Sequence, residues 1–310
     1  MTAPARGAGG KLSVAVQVCM WGLTGLPEIG AGDDLARLVV DAARAEGVEL
    51  QDGDVVVLTS KAVSKAEGRV VPREEVKPGR AARGIARATG KDPREVQVIL
   101  DSCRGVAGVI PLGLALRYMG TTPFWGEPGR VKQAVSREAT LLMTVMPGGG
   151  LATDAGVDCS NVPEGFCLLP ADPDASARRL RDRLREITGK EVAVILADTE
   201  FRVLRQGTTD VAVGVSGMEP IRRQFGNPDR FGRPKVGGMD AVADLIAGAA
   251  ALLMGQTSEG VPAVIVRGVD YVRGEGGGAA LAMPARWLRW GVAYFLWSAV
   301  RLWFARLLGR

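Results

Sequence analysis

The sequence contains no histidine among its 310 residues, and this absence excludes several classes of catalytic site. Without imidazole there is no Ser-His-Asp or Cys-His catalysis, no zinc site with histidine ligands and no histidine general base. Any catalysis has to depend on carboxylates, hydroxyls, amides, Lys, Arg, Cys or a hard metal ion. Metal-assisted phosphoryl or acyl transfer therefore stays open.

Cysteine is also scarce, with four residues at Cys19, Cys103, Cys159 and Cys167 and no CxxC pair. This spacing argues against a disulfide scaffold or a zinc cluster and favours buried free thiols in a reducing cytoplasm. The N-terminus has no sustained apolar stretch, so we expect no signal peptide and a cytoplasmic protein.

The charge excess is small, with 39 Lys plus Arg against 34 Asp plus Glu, and only eight of the basic residues are Lys. No run of basic residues is interleaved with aromatics, so we expect no nucleic-acid partner. A mild positive excess favours anionic small molecules instead. The length suits one large or two modest domains.

Apolar periodicity predicts mixed helices and strands, and therefore an α/β or α+β fold without internal repeats. After a disordered N-terminus over 1–11, we expect a strand over 12–20 and a helix over 33–47. Residues 78–106 have a helical pattern that is interrupted near Gly90 to Pro93, and 239–254 have a further helical pattern.

A second set of signals surrounds the segment DPDASARRLRDRLREITG, which predicts a well-bounded helix. Asp174 is expected to cap it, Leu180, Leu184 and Ile187 share one face, and Gly189 ends it. Residues 107–140 are rich in Gly, Pro and aromatics without a clear period and predict an insertion or lid.

The C-terminal segment 285–310 is predicted to be a helix rich in Trp and Arg, with four of the six tryptophans. Its charge-free core from Trp290 to Val300 has eleven residues, against the roughly 20 that a spanning helix needs. Arginines at both ends with Trp among them are typical of a helix in a membrane interface, so residues 285–308 are a candidate for peripheral membrane contact. The alternative is a helix that packs on its own domain or on a second subunit.

Polar residues follow several predicted strands, where α/β proteins place their sites. They are Asp158, Ser160 and Asn161; Asp198, Thr199 and Glu200; and Gly255 and Gln256, just before the strand that starts near Val261. Oxygen ligands of these types suit Mg²⁺ or Mn²⁺, although an Asp at a strand end is more often a cap or turn former.

Ser60, Lys61 and Lys65 follow another strand in a segment predicted to be a polar loop, where lysines either hold phosphates or are simply solvated. The P-loop spacing is absent.

Taken in order, these segments resemble the coenzyme F420-0:L-glutamate ligase family. The motifs are GLPEI-x-x-GDDL, SKAVSKAEGRVV, AGVD-x-SNV, LLP-x-DPDASARR-x-R, DT followed by TDVAVGVSG-x-EP, FGR, and MGQ-x₃-GVPAVIVRG. They cover about residues 23–100 and 152–272. The resemblance implies an intertwined α/β homodimer with a ligase domain over 12–272. It also implies a GTP-dependent enzyme that adds L-glutamate to a deazaflavin coenzyme precursor, using Mg²⁺ or Mn²⁺ with K⁺ as a further expected cation.

The resemblance also implies a role for individual residues. GTP would contact Leu26, Pro27, Glu28, Ile29, Ser60, Lys61, Lys65, Asn161, Met254, Gly255, Gln256, Thr257, Ser258, Glu259, Gly260 and Val261. Asp158 and Asp198 would hold one divalent cation, and Thr199 and Gln256 would contribute to a second. Lys61 and Lys65 would act in catalysis by stabilising charge while the substrate carboxylate is phosphorylated and glutamate then displaces phosphate. No step in that chemistry requires imidazole.

Two segments depart from the family pattern. The family has an ETRHGF-like stretch before the AGVD loop, and this chain has TVMPGGGLATD there. After the Asp-Thr pair the family has FGRP, and this chain has EFRV over Glu200 to Val203. The nucleotide and metal positions are kept, whereas the acceptor-side segments are changed. The alternatives to the original activity are therefore a paralogous amino-acid ligase with another carboxylate acceptor, or a non-catalytic nucleotide-binding homologue.

Overall fold

The computed structural model describes residues 17–114, 126–148, 150–201, 207–282 and 285–307. Helices and strands are mixed along the chain, which confirms the predicted α/β class. The predicted disordered N-terminus and the first part of the predicted strand over 12–20 lie outside the described residues, as do the middle of the predicted lid and Arg202 with Val203.

Twelve strands and eight α-helices are bounded within the described residues. The strands are β1 (Cys19–Leu23), β2 (Val55–Thr59), β3 (Val70–Val71), β4 (Gly105–Ile110), β5 (Leu141–Val145), β6 (Leu151–Thr153), β7 (Phe166–Cys167), β8 (Ala193–Phe201), β9 (Thr208–Ser216), β10 (Arg222–Arg223), β11 (Met239–Asp240) and β12 (Ala263–Arg267). The helices are α1 (Leu35–Ala45), α2 (Ser60–Ala66), α3 (Arg80–Thr89), α4 (Pro93–Ser102), α5 (Pro128–Arg137), α6 (Pro173–Thr188), α7 (Val242–Met254) and α8 (Ala285–Leu307).

A five-stranded sheet of order β1-β12-β2-β8-β9 forms the centre, with β2 and β8 parallel and the other neighbours antiparallel. Helices cover both of its faces. Val56 and Leu58 of β2 belong to a core shared with α1 and α6, while Val55 and Val57 face the other core with α7. Burial on both faces explains why β2 is continuously apolar in sequence.

A smaller unit packs α3 and α4 against a three-stranded antiparallel sheet of order β4-β5-β6. The helical prediction over 78–106 is correct for α3 and α4 but ends too late, because β4 already begins at Gly105. The predicted lid over 107–140 includes most of β4 and all of α5, so its described parts are regular rather than irregular. The sequence of β4, GVAGVI, does not alternate clearly between apolar and polar residues, because two of its six positions are glycine. The strand was therefore not predicted.

The predicted cap of α6 is wrong. Asp172, not Asp174, accepts from the first-turn N–H of Ala175 at 2.9 Å, since Pro173 occupies the first helical position. Asp174 instead accepts the backbone N–H groups of Val215 at 2.9 Å and Gly278 at 2.7 Å, and so ties α6 to β9. The predicted end of the helix at Gly189, which has φ 68°, is confirmed.

The four cysteines are free thiols, but only Cys167 is buried. Cys159 is exposed and the other two are half-buried, so the expectation of buried thiols is wrong for three of them. Cys159 lies in the turn that follows Asp158, where the chain has left the core. Within the described ranges, none of the helices has the length and apolar character needed to cross a bilayer.

Candidate nucleotide and metal site

A cleft of about 630 Å³ opens at the ends of the parallel strands β2 and β8. Its lining contains every residue to which the family resemblance assigns a role: Leu26 to Ile29, Ser60, Lys61, Lys65, Asp158, Asn161, Asp198, Thr199 and Met254 to Val261. Glu200, the other strand-end candidate, lines an adjoining cavity instead. Segments far apart in the chain therefore meet at one place, although the role of each residue in binding stays a prediction. The carboxyl ends of parallel strands are the usual position of such sites in α/β folds.

The lysines lie on a helix, so the predicted polar loop after β2 is wrong. Thr59 caps α2 by accepting the N–H of Ala62 at 3.3 Å, and Ala62 and Val63 are buried in the core. Residues four apart share one side of a helix, which places Lys61 and Lys65 together on the cleft.

Both lysines are held in ion pairs rather than solvated. The Lys61 ammonium donates to the carboxylate of Asp158 at 2.5 Å and to the hydroxyl of Ser160 at 2.7 Å. Lys65 donates to the carboxylate of Glu28. Each lysine can therefore neutralise an anion at this end of the cleft. In the free protein, that anion is the carboxylate of Asp158 for Lys61 and of Glu28 for Lys65.

Asp158 is also oriented by its own loop. The backbone N–H of Ser160 donates to one carboxylate oxygen at 2.7 Å, and the Ser160 hydroxyl donates to the other at 2.8 Å. Burial alone would raise the pKa of Asp158, but the hydrogen bonds from Lys61 and Ser160 outweigh it and hold the pKa below its ordinary value. Asp158 is therefore an anion at neutral pH.

Asp198 has a different environment, although it lies across the same cleft. The residue is half-buried, and its carboxylate accepts a hydrogen bond from the buried Ser60 hydroxyl at 2.8 Å. Burial raises its pKa to about 6, and the negative charges of Asp158 and Asp210 act in the same direction. A cation bound beside Asp198 would offset both effects.

Asp210 is a site residue that the sequence reasoning missed. It is buried on β9, opposite Thr199 in the β8–β9 ladder. The Thr199 hydroxyl donates to its carboxylate at 2.9 Å, and the Gln256 amide donates to the same oxygen at 3.0 Å. Asp210 thus holds together two of the predicted metal ligands. The sequence contains a signal for this residue. Asp210 is an acid near the start of an apolar strand, and that strand follows the strand with the Asp-Thr motif closely enough to pair with it as a hairpin.

The loop from Met254 to Val261 closes another wall of the cleft. Asn161 has φ 52°, and its side-chain amide donates to the carbonyl of Thr257 at 3.0 Å, which joins this loop to the Asp158 loop. The Glu259 carboxylate accepts the backbone N–H of Thr257 at 2.7 Å. Gly255 has φ 69° and ψ −174°, a conformation that is essentially restricted to glycine.

The similarity of the chain to known proteins is specific. A family model described as F420-0:gamma-glutamyl ligase matches residues 24–268. That match covers well over half of the chain. The chain belongs to the F420-0:gamma-glutamyl ligase family.

Curated relatives from archaea agree with this assignment, and each is named coenzyme F420:L-glutamate ligase. The Methanothermobacter thermautotrophicus protein is 38% identical over 270 residues, which cover 86% of this chain and 96% of the relative. The Methanopyrus kandleri protein is 40% identical over 243 residues, 78% of this chain and 83% of the relative. The Archaeoglobus fulgidus protein is 38% identical over 262 residues, 84% of this chain and 91% of the relative.

A larger cavity of about 1290 Å³ adjoins the cleft of this family member and shares Asp198 and Thr199 with it. One wall is formed by Met146 to Gly148 and Gly150 to Thr153, within the segment that is expected to depart from the family's ETRHGF-like stretch. Leu151, Leu168 and Leu281 give this cavity a more apolar lining than the cleft. Glu200, from the second segment that is expected to depart from the family pattern, lines the same cavity.

Three further carboxylates approach one another at Glu95, Glu138 and Asp154, close enough in principle to hold a metal ion. The ammonium of Lys91 occupies the centre of this group, at 2.7 Å from Glu95 and Glu138 and 3.2 Å from Asp154. A buried lysine already supplies the cation there. We therefore interpret this group as a structural ion-pair cluster at the rim of the family's cleft.

Proposed function

We propose that the protein is a GTP- and divalent-metal-dependent ligase that joins L-glutamate to the carboxylate of a coenzyme F420 precursor. The names of the relatives support the glutamate ligase activity. The observation that carries the proposal is the meeting, in one cleft, of two lysines, the carboxylates Asp158, Asp198 and Asp210, and the loop from Met254 to Val261.

The proposed reaction has two displacement steps. An oxygen of the acceptor carboxylate attacks the γ-phosphorus of GTP, the bond to the bridging oxygen breaks, and GDP leaves with an acyl phosphate formed. The amine of L-glutamate then attacks the acyl carbon, loses a proton, and expels phosphate, which leaves an amide. Such reactions depend on positioning and on charge stabilisation, so a chain without histidine can perform them.

The lysines are proposed to stabilise the phosphates. Lys61 and Lys65 present ammonium groups one helical turn apart, which suits a chain of phosphate oxygens. Each would exchange its present carboxylate partner for a phosphate when GTP binds. Ser60 donates to Asp198 and would keep that carboxylate oriented towards the cleft.

The donor set fits a hard divalent cation such as Mg²⁺ or Mn²⁺. It offers the carboxylates of Asp158 and Asp198, the hydroxyl of Thr199 and the side-chain carbonyl of Gln256, all of them oxygen ligands. The Thr199 hydroxyl and the Gln256 carbonyl oxygen are 3.0 Å apart, so both can face one ion. When bound, such ions neutralise the triphosphate and polarise it for displacement. A contribution of K⁺ belongs to the same proposal.

The adjoining cavity is the proposed place of the acceptor, because it shares Asp198 and Thr199 with the cleft but is not lined by Lys61 or Lys65. Its wall at Met146 to Gly148 and Gly150 to Thr153, where the sequence departs from the family pattern, favours one alternative: a paralogous ligase with a different carboxylate acceptor. In that case the nucleotide chemistry would be unchanged and the acceptor would have an apolar part that suits the leucines of this cavity.

A homodimer is the proposed assembly. Phe231 is 87% exposed in the segment between β10 and β11, and Val236 and Met239 in or next to the same segment are also exposed. Leu245 and Leu252 are exposed on α7. Apolar surface of this kind is typical of interfaces between copies. Sedimentation should give twice the 32.6 kDa mass of one chain, and a monomer would contradict this part of the proposal.

The reaction is tested by incubating the protein with GTP, Mn²⁺, L-glutamate and the unglutamylated coenzyme. We expect GDP and a glutamyl adduct, detected by mass. Asp198→Asn should abolish turnover, because it removes a charge that the cation needs, and Asp182→Asn on the exposed side of α6 should not. Full activity of the Asp198 variant would show that the metal assignment is wrong.

Binding and turnover separate the alternatives. GTP with Mn²⁺ at 100 times the dissociation constant should stabilise the protein by about 2.7 kcal/mol. Stabilisation with GDP release only on another carboxylate would identify the paralogous ligase. Stabilisation without GDP release on any carboxylate would indicate the non-catalytic homologue. Absence of stabilisation would contradict every nucleotide-binding version.

A further inference from the structure

The excess positive charge of the protein is confined to its C-terminal segment. After Glu275 there is no acidic residue, while arginines occur at 286, 289, 301, 306 and 310. These five equal the whole formal charge of +5, so residues 1–275 carry 34 basic and 34 acidic residues and are neutral. The family match ends at residue 268, before this segment begins.

The helix that carries this charge, α8, exposes a large apolar surface. Nine of its large apolar side chains are more than half exposed: Trp290, Tyr294, Phe295, Leu296, Trp297, Val300, Leu302, Trp303 and Phe304. Trp290 alone is 76% exposed. A soluble protein rarely leaves so many large apolar side chains in water, and such surfaces are typical of contact with a partner or a membrane.

The dimensions of α8 match an interfacial position. Its 23 residues span roughly 35 Å at 1.5 Å per residue, but the charge-free stretch from Trp290 to Val300 spans only about 16 Å. The hydrocarbon core of a bilayer is about 30 Å thick. Arginines flank the stretch at 289 and 301, and long basic side chains at such positions can reach the headgroup layer while their neighbours enter the apolar region.

We propose that α8 docks the protein on a phospholipid surface that carries anionic headgroups. Trp and Tyr favour the headgroup level, and the Arg301 guanidinium lies over the Trp297 ring, 5.3 Å from its centroid. Anionic headgroups supply the negative charge that the neutral body of the protein does not. The docked helix would hold the cleft close to the membrane surface.

Charge favours lipid over a second copy of the helix as the occupant. Two copies of the segment from 276 to 310 would bring ten arginines together without a single acidic side chain. Like charges at an apolar interface repel one another strongly, whereas an anionic lipid surface attracts all five from each chain.

The test uses the full chain and vesicle sedimentation. We expect the protein to bind vesicles of phosphatidylcholine and phosphatidylglycerol in equal amounts, with a blue shift of tryptophan fluorescence, and to be released by high sodium chloride. Each basic residue near such a surface contributes about a factor of five, so Arg301→Gln with Arg306→Gln should weaken binding roughly thirtyfold. The matched control is Arg83→Gln with Arg87→Gln on the exposed side of α3, and it should bind as the unmodified protein does.

Three outcomes would overturn the proposal. They are equal binding to pure phosphatidylcholine vesicles, equal loss of binding in the control variant, and no vesicle binding at all. If vesicles fail to bind and a Trp297→Ala, Trp303→Ala variant changes the sedimenting mass of the protein, a second copy covers the helix instead. GTP-dependent stabilisation should be the same in all these variants, because none of the changed residues lines the cleft.

Discussion

Replacing Lys91 by methionine should destabilise the protein by removing the cation from a buried group of carboxylates. The Lys91 side chain is 2% exposed and lies within 3.2 Å of Glu95, Glu138 and Asp154. Its ammonium also donates to the carbonyl of Thr140 at 3.2 Å. Methionine keeps most of the side-chain volume but leaves three acids and a carbonyl without their common donor.

The expected cost follows from the burial of the partners. Removing one partner of a buried ion pair costs about 3 to 5 kcal/mol, because an uncompensated charge remains. Glu138 is 48% exposed and can turn to water, so we take the lower limit of about 3 kcal/mol. For a chain of this size a shift of about 2 °C per kcal/mol is expected, which gives a melting temperature lower by about 6 °C.

The pH dependence distinguishes this cause from a packing defect. Burial raises the pKa of Glu95 and Asp154 above their usual values even while Lys91 opposes it. Without Lys91 both pKa values rise further, so the folded variant binds more protons than the unfolded chain and its stability grows as pH falls. Lys91 itself has a raised pKa and stays charged throughout this range, so its own titration adds no pH dependence.

The assay is thermal unfolding of both proteins between about pH 8 and about pH 5. We expect the gap in melting temperature to narrow as the pH falls. Lys132→Met, at an exposed position of α5, is the matched control and should change the melting temperature little. A Lys91 variant as stable as the control, or a gap that is the same at every pH, would refute the ion-pair reasoning.

Two further substitutions test the cleft. Asp210→Asn removes the charge that orients Thr199 and Gln256, so Mn²⁺ affinity, measured by calorimetry with GTP present, should fall roughly 10- to 100-fold. Unchanged affinity would remove Asp210 from the site. Gly255→Ala forces alanine into a glycine conformation and should cost about 1 to 3 kcal/mol of stability with weaker GTP-dependent stabilisation. Gly84→Ala, in the open interior of α3, should instead stabilise by about 0.5 to 1 kcal/mol, and equal effects at both positions would contradict the conformational argument.

The elements with strong local signals could be predicted from sequence. The continuous apolar strands, α1 and the Gly189 end of α6 follow from periodicity and capping residues. The cap of α6 was misjudged because two aspartates are separated by one proline, and only the approach of β9 determines which of them is free to cap. The helix α2 was missed because seven residues are too few for a clear apolar period.

The residues that line the site could be predicted from the order of the motifs, but the ion pairs between those residues could not. Lys61 meets Asp158, which is 97 positions away, and Lys65 meets Glu28, which is 37 positions away. Nothing in either local segment specifies the partner, because the central sheet brings these segments together. For the same reason Lys91, between α3 and α4, gave no sign that it would be the centre of a buried cluster.

These pairings have a consequence for how ligands bind. If a divalent cation binds at Asp158 as proposed, it would displace the Lys61 ammonium, which would then lack an anion until a phosphate binds. A nucleotide without the cation would place phosphates beside Asp158 and Asp198 with only the lysines to balance them. Each ligand therefore prepares the cleft for the other, and linkage requires the effect to be reciprocal. Mn²⁺ should tighten GTP binding by the same factor by which GTP tightens Mn²⁺ binding, and Lys61→Met should reduce that factor in both titrations; independent binding would mean that Lys61 does not change partners.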